Sequence, residues 1–132
     1  PARIAAVRAA LSGRVVRTPL IPLGAEGDIW LKPEMLQPHG SFKLRAALGA
    51  MAGIEGAGPL ITASAGNFGQ GLAGAAQAAG RALTVAVPDT AAATKRGAVA
   101  AVGGRLIEMP FEAWWEIFFS RRLAGHAGPC LH

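Results

Sequence analysis

The sequence predicts an α/β fold, a small parallel sheet between helices in a three-layer αβα arrangement. Three observations predict it. Short apolar runs at 60–63, 83–87 and 105–109 alternate with helical stretches of about ten to fourteen residues, the spacing of βαβ crossovers. Eighteen glycines and abundant alanine, with no short repeating unit, suit helices packed closely on a sheet. A chain that is 52% hydrophobic and 16% charged is too apolar to stay disordered, and 132 residues suffice for a core.

The elements follow in order. Ile4, Val7, Ala10 and Leu11 mark one face of an amphipathic helix over 1–12, ended by Gly13. Pro19 and Pro22 bar a helix and make 18–23 extended. Residues 28–32 read as a strand stopped by Pro33, and 34–40 as a loop. No crossover of adequate length joins Leu23 to Ile29, so these two segments belong to a different sheet. Ser41 is the N-cap of a helix from Lys43 to about residue 52. The strand at 60–63 runs through a glycine turn into a helix over 67–79. The strand at 83–87 closes at Pro88 and Asp89, and Thr90 or Thr94 opens a helix to about 102, ended by Gly103 and Gly104. A strand at 105–109 precedes an amphipathic helix over 111–123, whose Trp114 and Trp115 point to different faces. From Gly125 the chain turns loop-like.

Composition narrows the function. The net charge of +5 raises a nucleic-acid reading, but the basic residues are scattered without interleaved aromatics, which argues for solvated surface and against nucleic acid. Cys130 is the only cysteine, so no internal disulfide forms and a reducing, cytoplasmic setting is expected. The apolar runs are too short to span a membrane, and Arg8 interrupts any signal-peptide core. His39, His126 and His132 lack metal-ligand spacing. Glu112 and Glu116, one helical turn apart, read as a solvated face. The chain opens on Pro1 rather than methionine, as expected of a processed chain or a piece of a longer one.

Two runs carry chemistry. Gly40-Ser41-Phe42-Lys43-Leu44-Arg45 puts a lysine at the start of a helix. A lysine becomes a nucleophile when burial or a nearby positive charge frees its amine, and Phe42, Leu44 and the helix N-terminus supply such surroundings. Ser64-Ala65-Gly66-Asn67-Phe68-Gly69-Gln70-Gly71 is a strand-to-helix turn whose free N–H groups and dipole favour an anion. Its glycines do not follow the dinucleotide pattern. Asp89 nevertheless lies where a ribose-binding acid could sit, so a nucleotide-binding module using residues 66–71 and Asp89 stands as an alternative. A tightly packed Ala/Gly helix would explain Gly69, Gly71 and Gly74, but not Ser64 and Asn67.

Together with Leu36-Gln37-Pro38, Thr18-Pro19-Leu20 and Val87-Pro88-Asp89-Thr90, the two runs resemble the threonine/serine dehydratase group of fold-type-II pyridoxal-phosphate enzymes, over nearly the whole chain. The resemblance implies that Lys43 bonds pyridoxal 5'-phosphate, with Phe42 beside the ring and Asn67 on the ring's hydroxyl oxygen. Ser64, Ala65, Gly66, Asn67 and Phe68 would hold the substrate carboxylate. The implied reaction removes water and ammonia from L-threonine or L-serine to leave a 2-oxo acid. Leu44 stands where cysteine and threonine synthases usually carry aspartate. Phe68 replaces a frequent histidine, Ala46 a frequent glycine, and Ala65 the second serine of serine racemases, which favours elimination over racemisation.

The family's glycine-rich phosphate loop and its residue for the pyridine nitrogen have no counterpart here, since Gly103 and Gly104 end a helix. The resemblance therefore implies an N-terminal fragment, inactive alone, of an enzyme that is a homo-oligomer at full length. Residues 1–52 would belong to the large domain with the lysine helix, 53–124 to the small α/β domain, and 125–132 to the crossing back. A non-catalytic truncated product is the third reading.

Overall fold

A computed structural model describes residues 2–24 and 27–132; Pro1, where the expected N-terminal helix begins, lies outside the described residues. The order is α1 (Ala2–Leu11), β1 (Ile21–Leu23), β2 (Ile29–Leu31), two 3₁₀ turns (Glu34–Leu36 and Pro38–Gly40), α2 (Lys43–Met51), β3 (Leu60–Ala63), α3 (Asn67–Ala78), β4 (Leu83–Pro88), α4 (Ala93–Ala101), β5 (Arg105–Met109), α5 (Phe111–Ser120) and β6 (Cys130–Leu131).

β1 and β2 form an antiparallel pair apart from the main sheet, with Ile21 opposite Leu31. That separation follows from the short link between them, as expected. The strand begins only at Ile21; residues 18–20 are extended without a partner strand. On α1 the predicted face is only partly used. Val7, Ala10 and Leu11 are half-buried, and Val7 sits against Gly49 of α2, while Ile4 is exposed.

The main sheet is parallel, in the order β5-β4-β3-β6. β3, and β4 apart from the half-buried Thr84, are buried along their length, as apolar strands covered on both faces must be. On one face Leu60, Val85 and Val87 pack with Leu72, Ala73 and Ala76 of α3, Val99 of α4, and Leu44, Ala47 and Leu48 of α2. On the other, Ala63 and Ala86 meet Trp114 and Ile117 of α5. The sheet thus lies between two helical layers, and one core joins residues on both sides of position 52.

β6 corrects the expected loop after Gly125. Ile61 N–H donates to the Pro129 carbonyl at 3.1 Å, and Thr62 Oγ1 donates to the Leu131 carbonyl at 2.7 Å. These bonds lay Cys130 and Leu131 beside β3 as a fourth strand. A second correction concerns α5, which stops at Ser120 rather than 123. Arg121 takes the left-handed conformation (φ 56°) and returns its N–H to the Ile117 carbonyl, closing the helix without a glycine.

The two tryptophans diverge as expected. Trp114 is 9% exposed and Trp115 44%. Trp114 Nε1 donates to the Ala86 carbonyl at 3.0 Å, an oxygen that also accepts the Ser64 N–H at 3.1 Å. Trp114→Phe removes the donor but leaves Ala86 one partner, so the expected loss is about 1 kcal/mol, at the low end for a buried polar group. A urea melt should show it, while Trp115→Phe moves the midpoint by less than about 0.5 kcal/mol.

Candidate active site

β3 ends at Ala63, and the chain turns through Ser64, Ala65 and Gly66 into α3. This turn lies at the carboxyl edge of the parallel sheet, where strand order reverses between β4 and β6 on either side of β3. Open α/β sheets bind ligands at such an edge, because the connections diverge and leave a crevice.

Ser64 organises the turn. Its Oγ accepts the N–H of Gly69 at 2.9 Å and lies 3.4 Å from that of Gly66. Both lone pairs of the hydroxyl then face backbone donors, and the O–H hydrogen remains to donate elsewhere. The N–H groups of Asn67 and Phe68 open α3 and have no carbonyl within the helix to receive them. Asn67 is exposed, and its amide bonds no other group among the described residues. Phe68 is half-buried and packs onto the core, while Ala65 packs toward the Trp114 cluster.

The lysine reaches the same corner through a glycine. A Cβ on Gly71 would stand 3.1 Å from Leu44 N, 3.2 Å from Leu44 Cα and 3.3 Å from Lys43 C. The start of α2 therefore lies directly on α3, one helical turn from Asn67, or about 6 Å along the axis. Ser41 Oγ accepts the Lys43 N–H at 3.2 Å, but the residue that opens α2 is Phe42, so Ser41 stands one position ahead of the expected N-cap. Lys43 is half-buried, and its Nζ lies 5.0 Å from the centroid of the Phe42 ring, which is 55% exposed.

Arg45 does not add its charge to Lys43. It turns away and donates from Nε to Glu34 Oε2 at 2.8 Å, and from Nη2 to Glu34 Oε1 at 3.0 Å and the Val16 carbonyl at 2.9 Å. Thr18 Oγ1 donates to the same carboxylate at 2.6 Å, and Gln37 exchanges two bonds with the Val16 backbone at 2.7 and 2.9 Å. Arg45 first, then Thr18, hold the Glu34 carboxyl down at about 2. This network braces the entry to α2. Sequence reasoning missed it, because its members lie up to 29 positions apart.

The glycines of the nucleotide alternative are occupied by packing. Gly69 lies against Ser64 and Val85, and Gly71 against α2. The imidazole of His39 fills the space a side chain at Gly74 would take. Asp89 is exposed at the end of β4, its N–H bonded to the Met109 carbonyl at 2.8 Å. Gly103 and Gly104 return their N–H groups to the Ala100 and Val99 carbonyls, closing α4 as expected. Cys130 Sγ lies 3.4 Å from His132 Nε2. Burial pushes the thiol up and the imidazole down. Among the described residues no helix is long and apolar enough to cross a membrane, and no cluster of His, Cys, Asp and Glu forms a metal site.

The family model described as "Pyridoxal-phosphate dependent enzyme" matches residues 11–122. Serine racemase of Bos taurus is 37% identical over 86 residues, 61% of this chain and 26% of that protein. The L-threonine dehydratase catabolic TdcB of Staphylococcus aureus is 34% identical over 109 residues, 76% of this chain and 32% of that protein. The chain thus spans about a quarter to a third of these curated relatives. Threonine deaminase isoform 2 from Solanum lycopersicum, in its processed form, superposes with a TM-score of 0.73 at 29% identity, over 83% of this chain and 34% of that one. Serine racemase from Dictyostelium discoideum shares the fold over 99% of this chain and 45% of its own, with a TM-score of 0.84 at 23% identity.

The donor set fits the cofactor on one side: a lysine amine for an aldehyde, an exposed amide for a ring oxygen, and free helix N–H groups for an anion. Gly71 is the notch that seats the backbone of Lys43 and Leu44 on α3, one turn from Asn67. By sequence match and by fold, the chain belongs to the fold-type-II pyridoxal-phosphate-dependent enzymes.

Proposed function

We propose that the chain carries the lysine side of the active site of a lyase that removes water and ammonia from L-threonine or L-serine to give a 2-oxo acid. The observation that carries the reading is the seat of α2 on Gly71, which puts Lys43 and the α3 N-terminus at one corner of the sheet edge. When bound, pyridoxal phosphate supplies an aldehyde for amines and a ring that accepts electrons from Cα. Lys43 Nζ would hold the cofactor and, as a free amine, would take the proton from the substrate Cα. Phe42 would lie beside the cofactor ring, and the Asn67 amide would donate to its hydroxyl oxygen. The Ser64 hydroxyl, the backbone at Ala65 and Gly66, and the N–H groups of Asn67 and Phe68 receive the substrate carboxylate.

Ala65 supports elimination over racemisation, since a methyl group has no proton to deliver to the opposite face of Cα. Phe68 brings no polar group toward the substrate, so the choice among β-hydroxy amino acids rests on other contacts. The homo-oligomeric, cytoplasmic enzyme and the division at residues 52 and 124 belong to the same proposal.

Lys32, Lys43 and Lys95 are the three lysines available to an aldehyde. Incubation with pyridoxal phosphate, reduction by borohydride and peptide mass mapping should place a saturable adduct on Lys43. Lys43→Ala should lose it. Equal labelling of Lys32 and Lys95, or an undiminished adduct in the variant, would overturn the assignment. Turnover of L-threonine by the full-length protein tests the reaction separately.

A further inference from the structure

The basic residues that look scattered along the sequence do not stay scattered in the fold. Arg8 of α1, Arg17, Lys32 at the end of β2 and Arg45 of α2 line one cleft of about 540 Å³, with Leu11, Ser12, Gly13 and Val15 forming the rest of its wall. Neither Lys43, Ser64 nor Asn67 lines it, so it is separate from the candidate active site.

Two of the four cationic groups are fixed in place. Lys32 Nζ donates to the Thr18 carbonyl at 2.6 Å, and Arg45 is held by Glu34 and the Val16 carbonyl. Of these four, only Arg45 is ion-paired among the described residues, and Arg8, Arg17 and Lys32 are exposed. The carbonyls of Ala9 and Leu11 at the end of α1 already accept the N–H groups of Ser12 and Arg14. Three positive charges with no bonded carboxylate among the described residues therefore converge on one concavity, and a lining whose charged residues are all cationic focuses the field on a small anion.

We propose that this cleft binds a small polyanion of the pyrophosphate type. Its volume lies in the range of about 300–1,000 Å³ typical of metabolite sites. Guanidinium forks match phosphate oxygens in pairs. The lining has no aromatic platform and is a pocket rather than a stripe, which is the wrong shape for a nucleic-acid strand.

The test is a calorimetric titration of the whole chain with sodium pyrophosphate at constant ionic strength. Saturable binding at one site is expected. Arg8→Ser with Arg17→Ser should weaken it by about tenfold or more. Arg121→Ser with Arg122→Ser, the same charge change outside the cleft, should leave it within about twofold. Thermal melting of both double variants checks that the fold stands. If the first melts early, Arg17→Gln alone gives the same reading with a smaller fold-change. Heat that never saturates in the parent, or equal weakening by the two double variants, would overturn the proposal.

Discussion

Gly71→Val is expected to lower stability by about 2–3 kcal/mol and to abolish the Lys43 adduct. The contacts behind this are all backbone: Leu44 N, Leu44 Cα and Lys43 C lie 3.1–3.3 Å from where a Cβ would stand. A neighbouring side chain could rotate away, but the first turn of a helix cannot. Two effects compete in the milder Gly71→Ala. Alanine favours an α-helix over glycine by about 1 kcal/mol. Seating one methyl against backbone costs a comparable amount at the low end of overpacking. Gly71→Ala should therefore be close to neutral, whereas valine adds two methyl groups and a poorer helix residue, and the packing cost wins.

Gly97 in α4 isolates the helix effect, because nothing lies within 4 Å of its missing Cβ. Gly97→Ala should stabilise by about 0.5–1 kcal/mol. Urea melts of the three variants, run beside borohydride trapping, separate stability from site geometry. A Gly71→Val protein as stable as its parent, with a full adduct on Lys43, would mean that α2 is not seated through this glycine.

The main sheet was legible because its signals are local. Leu60-Ile61-Thr62-Ala63 and Leu83-Thr84-Val85-Ala86-Val87 are almost continuously apolar and punctuated by glycine and proline, and both are buried strands. β6 was not legible, since two residues after Gly128 and Pro129 carry no periodicity and owe their pairing to Ile61 and Thr62 far back in the chain. The end of α5 was missed for a related reason: Arg121 adopts a left-handed conformation that sequence habits assign to glycine.

At the site, the residue types were readable and their tasks less so. Ser64 reads as a ligand group, and in the fold it first organises the turn by accepting N–H bonds. Gly71 reads as close packing in general, and only the fold shows that what it packs against is the lysine helix. Arg45 stands two positions from Lys43 in the motif, and only the fold shows that its task is to pair with Glu34.

That ion pair carries the second large effect. The Glu34 carboxyl has a folded value of about 2 against an ordinary 4.5, set first by Arg45 and then by Thr18. A carboxyl more acidic in the folded chain than in the unfolded one stabilises the fold while ionised in both. That contribution is complete above about pH 4.5 and drains away as the pH falls toward 2. The Glu34 side chain is 16% exposed and that of Arg45 32%, so solvent screens part of the gain and about 2 kcal/mol is the expected size.

Glu34→Gln should lose that amount at pH 7 and little further on acidification to pH 3, while the parent holds its stability down to about pH 4.5 and weakens below it. The difference between their urea midpoints should therefore shrink as the pH drops. Because Thr18 and Arg45 bond this carboxylate, and Arg45 and Gln37 in turn bond the Val16 carbonyl, its loss also frees the entry to α2. The rate of adduct formation on Lys43 at pH 7 should then fall, although Glu34 touches neither Lys43 nor the turn at Ser64. Parallel stability curves for parent and variant from pH 7 to pH 3 would show that the ion pair is only a surface contact.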